Sequence, residues 1–365
     1  MLRLEKRPTP SKFWSGFTPV LAVVATMIAG GILFYALGKN PFEAIRIIFW
    51  DPVFGEFAFY YRAQILVKAG PLILIAIGLS LGFRAGIWNI GAEGQYIMGA
   101  IFGAAAGLAF YPAGEEITYV WWIFPFMVLC GAIGGTVWAM IPAILKTKFN
   151  TNEILVSLML VYVAENILAS VSSGLLRNPE GHGFPGSRNL SQWVSSKNVE
   201  VIAGTGMHWG VVAALIAVIL SYVMLTRHIL GFQIRLTGES PRAARFAGVN
   251  PTRLVILCLG MSGMLAGMAG LFEVTGPAGQ ITIDFASGYG FTAIIVAFLG
   301  RLNPIGILLA GLLLAITYVG GEGAQQALQL PAAAIQLFQG MLLFFLLAMD
   351  MLSNFRIRIG KTEAV

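Results

Sequence analysis

Phe13-Trp-Ser-Gly-Phe-Thr-Pro-Val-Leu-Ala-Val-Val-Ala-Thr-Met-Ile-Ala-Gly-Gly-Ile-Leu-Phe-Tyr-Ala-Leu-Gly38 carries no charge along its whole length and follows the basic residues Arg3, Lys6, Arg7 and Lys12. A secretory signal peptide has a shorter apolar region of roughly 7–15 residues and a small-x-small cleavage site. Crossing a bilayer takes about 20 helical residues, and this run supplies them. It reads as an uncleaved membrane span whose N-terminus stays inside.

The remainder of the chain is of the same kind. Of its 365 residues 57% are apolar and 11% charged, where a soluble domain runs nearer 45–50% and about 25%. Mean hydropathy is +0.79. These values exclude a soluble enzyme, a nucleic-acid-binding module and a disordered protein. The net charge of +6 has another origin than nucleic acid, because Lys and Arg resist translocation and collect in cytoplasmic loops. Cys130 and Cys258 lie within apolar runs as small hydrophobes. His182, His208 and His228 are dispersed, so neither a disulfide framework nor a metal centre is expected.

Gaps between charges place nine further spans near 64–82, 88–110, 119–141, 153–174, 209–226, 254–273, 287–300, 304–321 and 332–350. Pro19, Pro71 and Pro125 fall within spans, which membrane helices tolerate when neighbours satisfy the freed carbonyls. The 287–300 stretch is short enough to be re-entrant or broken. Ten crossings put both termini on one side, and 16 of the 23 Lys and Arg then face it. The expected architecture is an all-α polytopic membrane protein of about ten transmembrane helices, one domain over 1–365, with both termini cytoplasmic. Of the outer loops, 39–63 is rich in aromatics suited to headgroup level, and 175–207 is polar. The latter suits an external partner or a plain solvated connector.

Glycine recurs every four residues at Gly78-Gly82-Gly86, Gly99-Gly103-Gly107, Gly131-Gly135 and Gly263-Gly267. In lipid this spacing lets helix backbones approach closely, which explains the glycine content by packing and says nothing of function. Two motifs fail on inspection. The tail Phe355-Arg-Ile-Arg-Ile-Gly-Lys-Thr362 ends like a P-loop but has Phe355 where the first glycine belongs, and Gly288-Tyr-Gly-Phe-Thr-Ala293 opens an apolar span instead of a βαβ unit. No nucleophile–base pair or metal-ligand cluster suggests an enzyme.

The most informative loop, 227–253, contains Leu230-Gly-Phe-Gln-Ile-Arg-Leu-Thr-Gly-Glu-Ser-Pro-Arg-Ala-Ala-Arg-Phe-Ala-Gly-Val-Asn250. Ser240 is a good N-cap, Pro241 suits the first helical position and Gly248 the position past the end. Arg242 and Arg245 share one face by their three-residue spacing. On periodicity alone this is equally a positive-inside loop that happens to be helical.

The segment resembles the cytoplasmic coupling loop of ABC importer permeases in the sugar, nucleoside and branched-chain amino-acid group, through Gly231, Arg235, Gly238, Ala243, Ala244, Gly248 and Asn250. Leu236, Ser240 and Val249 are mild departures. Gly82-Phe-Arg-Ala-Gly-Ile-Trp-Asn-Ile-Gly-Ala-Glu-Gly-Gln95, Asn150-Thr-Asn-Glu-Ile-Leu155, Gly288-Tyr-Gly-Phe-Thr292 and Leu299-Gly-Arg-Leu-Asn-Pro-Ile-Gly306 resemble its nucleoside branch. The resemblance implies the ABC importer permease fold in a bacterial inner membrane. It also implies three partners: a cytoplasmic ABC ATPase, a second related permease and an external substrate-binding lipoprotein. ATP would be used by the ATPase, and this chain would bind no cofactor and no nucleic acid. Glu239, Pro241, Arg242, Ala244, Arg245, Phe246, Gly248 and Asn250 would then couple to the ATPase.

Polar groups at membrane depth are costly and mark a pathway or an internal partner. Asn89, Glu93, Gln95, Glu165 and Asn166 are the candidates for a translocation path, with Phe285 and Tyr289 as stacking surfaces. Asn89 and Glu93, four apart, are expected on one helical face. A structural hydrogen bond pinning neighbouring helices fits the same residues. Gly82-Phe-Arg84…Asn89-Ile-Gly91 and Gly300-Arg301…Asn303-Pro-Ile-Gly306 are weakly alike and hint at an internal repeat. Two rivals stand beside a nucleoside importer: an ABC permease for ribose-like sugars, and an ion-coupled carrier with Glu93 or Glu273 as proton site.

Overall fold

The computed structural model describes residues 2–6, 12–111 and 119–359. The last residues of the P-loop-like tail, 360–362, and the basic Arg7 and Lys361 lie outside the described residues. In chain order the elements are β1 (Leu2–Lys6), α1 (Lys12–Ala36), α2 (Pro41–Ile45), a π turn at Arg46–Trp50, α3 (Asp51–Phe54), α4 (Ala58–Arg84) and α5 (Ala92–Leu108). Then come α6 (Ile123–Phe149), α7 (Glu153–Ser173), β2 (Glu200–Ile202), β3 (Met207–His208), α8 (Trp209–Arg227), α9 (Ile229–Glu239) and α10 (Pro241–Phe246). The chain ends with α11 (Pro251–Thr275), α12 (Tyr289–Leu299), α13 (Pro304–Leu328), α14 (Ala332–Asn354) and β4 (Phe355–Ile359).

Each expected span coincides with a helix. Among the described residues seven helices, α1, α4, α6, α7, α8, α11 and α13, are long and apolar enough to cross a membrane. The protein is thus a helical, multi-pass membrane protein. Two expected spans are shorter. At 17 residues, α5 covers about 26 Å, and α12 has 11 residues, whereas α14 runs for 23.

The chain divides into two compact units, one of Met1–Tyr61 with Ile316–Val365 and one of Arg62–Ala315. In the first, α1 packs along α14, and Phe34 stacks on Phe338 with centroids 5.6 Å apart. Gly30 makes room for this, since a Cβ there would run into the Phe338 ring. The Asn40 side chain caps α2, and Pro41 occupies the first turn. β1 pairs antiparallel with β4, Leu2 opposite Ile359 and Lys6 opposite Phe355.

In the second unit the core is a three-helix seam of α5, α6 and α11. The glycine repeats form it: Gly99 lies on Gly267, and Gly135 on Gly263, so closely that a Cβ would strike the facing backbone. Thirteen of the 17 residues of α5 are buried, which marks it as a central helix enclosed on all sides. In contrast, α7 leaves Leu155, Met159, Tyr162 and Val163 exposed, an apolar face suited to lipid. The 175–207 segment carries little regular structure beyond a short ladder of β2 with β3.

A capped, exposed helix and a buried polar cluster

The capping signals around Ser240 build the helix they announce. Ser240 is extended (φ −153°, ψ 94°) and its hydroxyl accepts the Ala243 N–H at 3.4 Å, while Pro241 opens the first turn of α10. Gly248 takes φ +78°, the left-handed geometry of a helix C-terminus. There Val249 N–H returns to the Ala244 carbonyl at 3.0 Å. Ala244 is the one buried residue of α10; Pro241, Arg242, Arg245 and Phe246 are exposed, with Phe246 at 95%. Glu239, at the end of α9, is exposed too. Asn250 accepts the Arg253 N–H at 3.2 Å and starts α11.

The helix α9, which the sequence reading left unassigned, anchors this knob. Its Ile234 is fully buried among Ala85, Ile87, Ala143, Leu254, Cys258 and Leu259. Gly238 lies directly on the Arg84 carbonyl, where a Cβ could not fit. A fixed stub with an uncovered aromatic tip is the result. Gly231 and Gly238 lower the helical propensity of the stretch, and that hid α9 from a propensity reading.

Within the membrane part, Asn89 and Glu93 do not share a helical face: α5 begins at Ala92 and Asn89 lies in an extended stretch before it. The cause is local, because the Asn89 side-chain oxygen Oδ1 accepts the Gly91 N–H at 3.0 Å and turns the chain into the helix. The Asn89 amide nitrogen donates to Gln95 Oε1 and to Ser262 Oγ, both at 2.9 Å, and Gln95 Nε2 donates back at 3.1 Å. Asn89 and Gln95 therefore form one closed network with α11. Ser157 Oγ accepts the Ile90 N–H at 3.2 Å and ties the same turn to α7.

Glu93 points elsewhere. Its carboxylate accepts the N–H groups of Gly288, at 2.9 Å, and Gly290, at the start of α12. This is a charged cap for a helix terminus. Beside it Tyr96 stacks on Phe285, centroids 5.2 Å apart and planes 10° apart, with Tyr289 at 5.9 Å. Phe285 and Tyr289 are thus brought together, through Tyr96, which the sequence reading passed over as one more apolar residue. Glu165 and Asn166 sit on α7; Asn166 is exposed and donates to its own helix at Tyr162 O, 2.7 Å away. Among the described residues no hydrogen bond joins them to the Asn89 network.

The two weakly similar stretches have the same local build. Asn303 accepts the Ile305 N–H at 3.1 Å, as Asn89 does that of Gly91, and Arg84 Nε donates to the Leu302 carbonyl at 2.8 Å, linking one turn to the other. Among the described residues no group of three or more His, Cys, Asp or Glu could hold a metal ion.

Compared with known proteins, residues 61–347 match the family described as branched-chain amino acid transport system / permease component. The chain is similar to the glucose ABC transporter permease protein of Haloferax volcanii, 32% identical over 98% of this chain and 94% of that one. It is 26% identical to the guanosine ABC transporter permease protein of Bacillus subtilis over 90% of this chain and 91% of that one. The nucleoside ABC transporter permease protein of Lactococcus lactis is 28% identical over 90% of this chain and 89% of its own length.

Proposed function

Because this chain belongs to the branched-chain amino acid transport system / permease component family, we propose that it is one membrane-spanning half of an ATP-driven importer whose cargo is a nucleoside. The observation that carries the energy-coupling part is the exposed tip of α10. Phe246 is 95% exposed on a short capped helix flanked by exposed Arg242 and Arg245, and α9 fixes it to the core through Ile234. A bare aromatic beside two cations suits the groove of a cytoplasmic ATPase, with the aromatic as buried anchor and the arginines as part of its polar rim. ATP is used there, and this chain binds no cofactor of its own. A second related permease completes the path, and an external lipoprotein delivers the cargo. The excess of basic residues supports cytoplasmic termini in a bacterial cell membrane.

Support for a nucleoside comes from the four sequence blocks of the nucleoside branch and from relatives named for guanosine and nucleosides over nine-tenths of the chain. A sugar is the second reading, because the relative named for glucose has the higher identity. Uptake of labelled guanosine by cells carrying the complete transporter, competed by nucleosides or by glucose and ribose, separates the two. In the same cells Arg245→Glu with Phe246→Ala should abolish uptake while the chain still inserts in the membrane. Unchanged uptake by that variant would refute the docking role.

A further inference from the structure

Glu273 lies two residues before the end of α11 and is 7% exposed. Its Oε2 has no hydrogen-bond partner among the described residues. A buried carboxylate oxygen without a donor is costly anywhere and more so in a membrane helix, so it persists where it has a use. Its surroundings are specific. Lys68 on α4 is the cation beside it, and the same ammonium lies 5.9 Å from the Tyr289 ring centroid. Tyr96 and Tyr289 complete the wall, with Phe285 stacked behind Tyr96.

This combination selects a ligand chemistry. The Lys68 ammonium offsets the Glu273 carboxylate, and the second carboxylate nearby, Glu93, is already engaged by the Gly288 and Gly290 N–H groups, so no strong unbalanced charge is left to hold an ionic cargo. An apolar cargo would leave the carboxylate unpaired. The carboxylate is acceptor-only, with two oxygens side by side, and pairs with two neighbouring O–H donors. Aromatic faces suit a flat ring or the C–H face of a sugar. We propose that Glu273 is a specificity-determining residue of the translocation path, accepting both hydroxyls of a vicinal diol on the cargo, with Lys68 and the Tyr96–Phe285–Tyr289 wall around it. The inference rests on the importer reading. It deepens that reading by naming the part of the cargo recognised, a feature that ribonucleosides and glucose share.

The test is uptake by cells carrying the complete transporter, with guanosine and 2′,3′-dideoxyguanosine as the probes. The external binding protein is identical in all strains, so any change of selectivity on substitution belongs to this chain. Glu273→Gln should raise the half-saturating concentration of guanosine about tenfold, the cost of one tenfold step of affinity, and leave that of the dideoxy analogue unchanged. Glu273→Asp, which keeps the charge but withdraws it by one methylene, should act in the same direction and serves if the Gln variant fails to insert. Equal losses for both probes, or no loss for either, would overturn the inference and assign Glu273 to structure. So would a wild-type transporter that the two probes compete for equally. If wild-type cells take up no guanosine, the nucleoside reading falls. Glucose with its 2-deoxy and 3-deoxy analogues then decides on Glu273 by the same comparison.

Discussion

His208 shows how one side chain ties stability to pH outside the spans. It is 4% exposed, just before α8. Its Nδ1 accepts the Gly210 N–H at 3.1 Å and faces the Asn198 amide nitrogen at 3.1 Å. Both neighbours are donors, so Nδ1 must keep its lone pair and the ring proton sits on Nε2. Burial pushes the imidazole from 6.5 down to about 4, with Glu200 acting in the opposite direction. Between these values the unfolded chain takes up a proton that the folded chain refuses. The contribution is therefore complete above about pH 6.5 and is lost as pH falls to about 4, by something on the order of 3 kcal/mol. The melting temperature of the purified protein should drop on acidification from pH 7 to 4.5, and drop less in His208→Asn, whose amide oxygen caps α8 without titrating. Parallel curves for the two proteins would contradict this account.

The 227–253 loop, as an element, separates two jobs between two apolar residues twelve positions apart. Ile234 is fully buried against α6 and α11, so Ile234→Ala should cost about 2–5 kcal/mol, read as a lower melting temperature. Phe246 touches almost nothing in this chain, so Phe246→Ala should leave the melting temperature within experimental error yet cut uptake severely. A melting temperature lowered equally by both substitutions would mean that the tip of α10 packs on its own chain. The contrast also explains what the sequence could reveal. α10 was legible because its determinants, Ser240, Pro241 and Gly248, act within a few residues. The glycine seam was legible because its period is fixed by the helix. Asn89 was misplaced because an Asn two residues before Gly91 fits a helix as well as the turn that its Oδ1 closes on the Gly91 N–H, and one of the partners that hold it in that turn, Ser262, is 173 residues away. Glu273 could be noticed as a membrane carboxylate, but its lack of a donor depends on which side chains five separate segments bring together.

At the scale of the whole molecule the open quantity is the number of crossings, and a few contacts constrain it by parity. The seven helices long enough to cross would alone leave the termini on opposite faces, whereas the β1–β4 pairing joins them on one. Arg84 ends α4, Leu302 precedes α13, and their hydrogen bond puts both on one face. Four long helices, α6, α7, α8 and α11, lie between, so α5 and α12 either both cross or both do not. The course of α5 decides. Gly94 meets Trp138, Gly99 meets Gly131's neighbourhood and Gly103 meets Met127, so α5 runs antiparallel to α6 and ends where α6 begins. The other end of α6 packs at Ala143 beside Ala85, next to Arg84. Hence α5 leaves the face of Arg84 and α12 returns to it. Crossings by α5, α12 and α14 beside the seven long helices would give the ten expected from the charge gaps, with α5 and α12 as short helices that start together at the Glu93 cap. Cysteines placed at Leu4 and Ile357, which are opposite in the ladder, with Cys130 and Cys258 replaced by Ala, should form a disulfide that speeds migration on a denaturing gel. An impermeant maleimide added to intact cells should label Phe42→Cys but not Phe246→Cys. Labelling of both from outside, or a Leu4–Ile357 pair that never cross-links in correctly inserted protein, would break the parity and with it the count of ten.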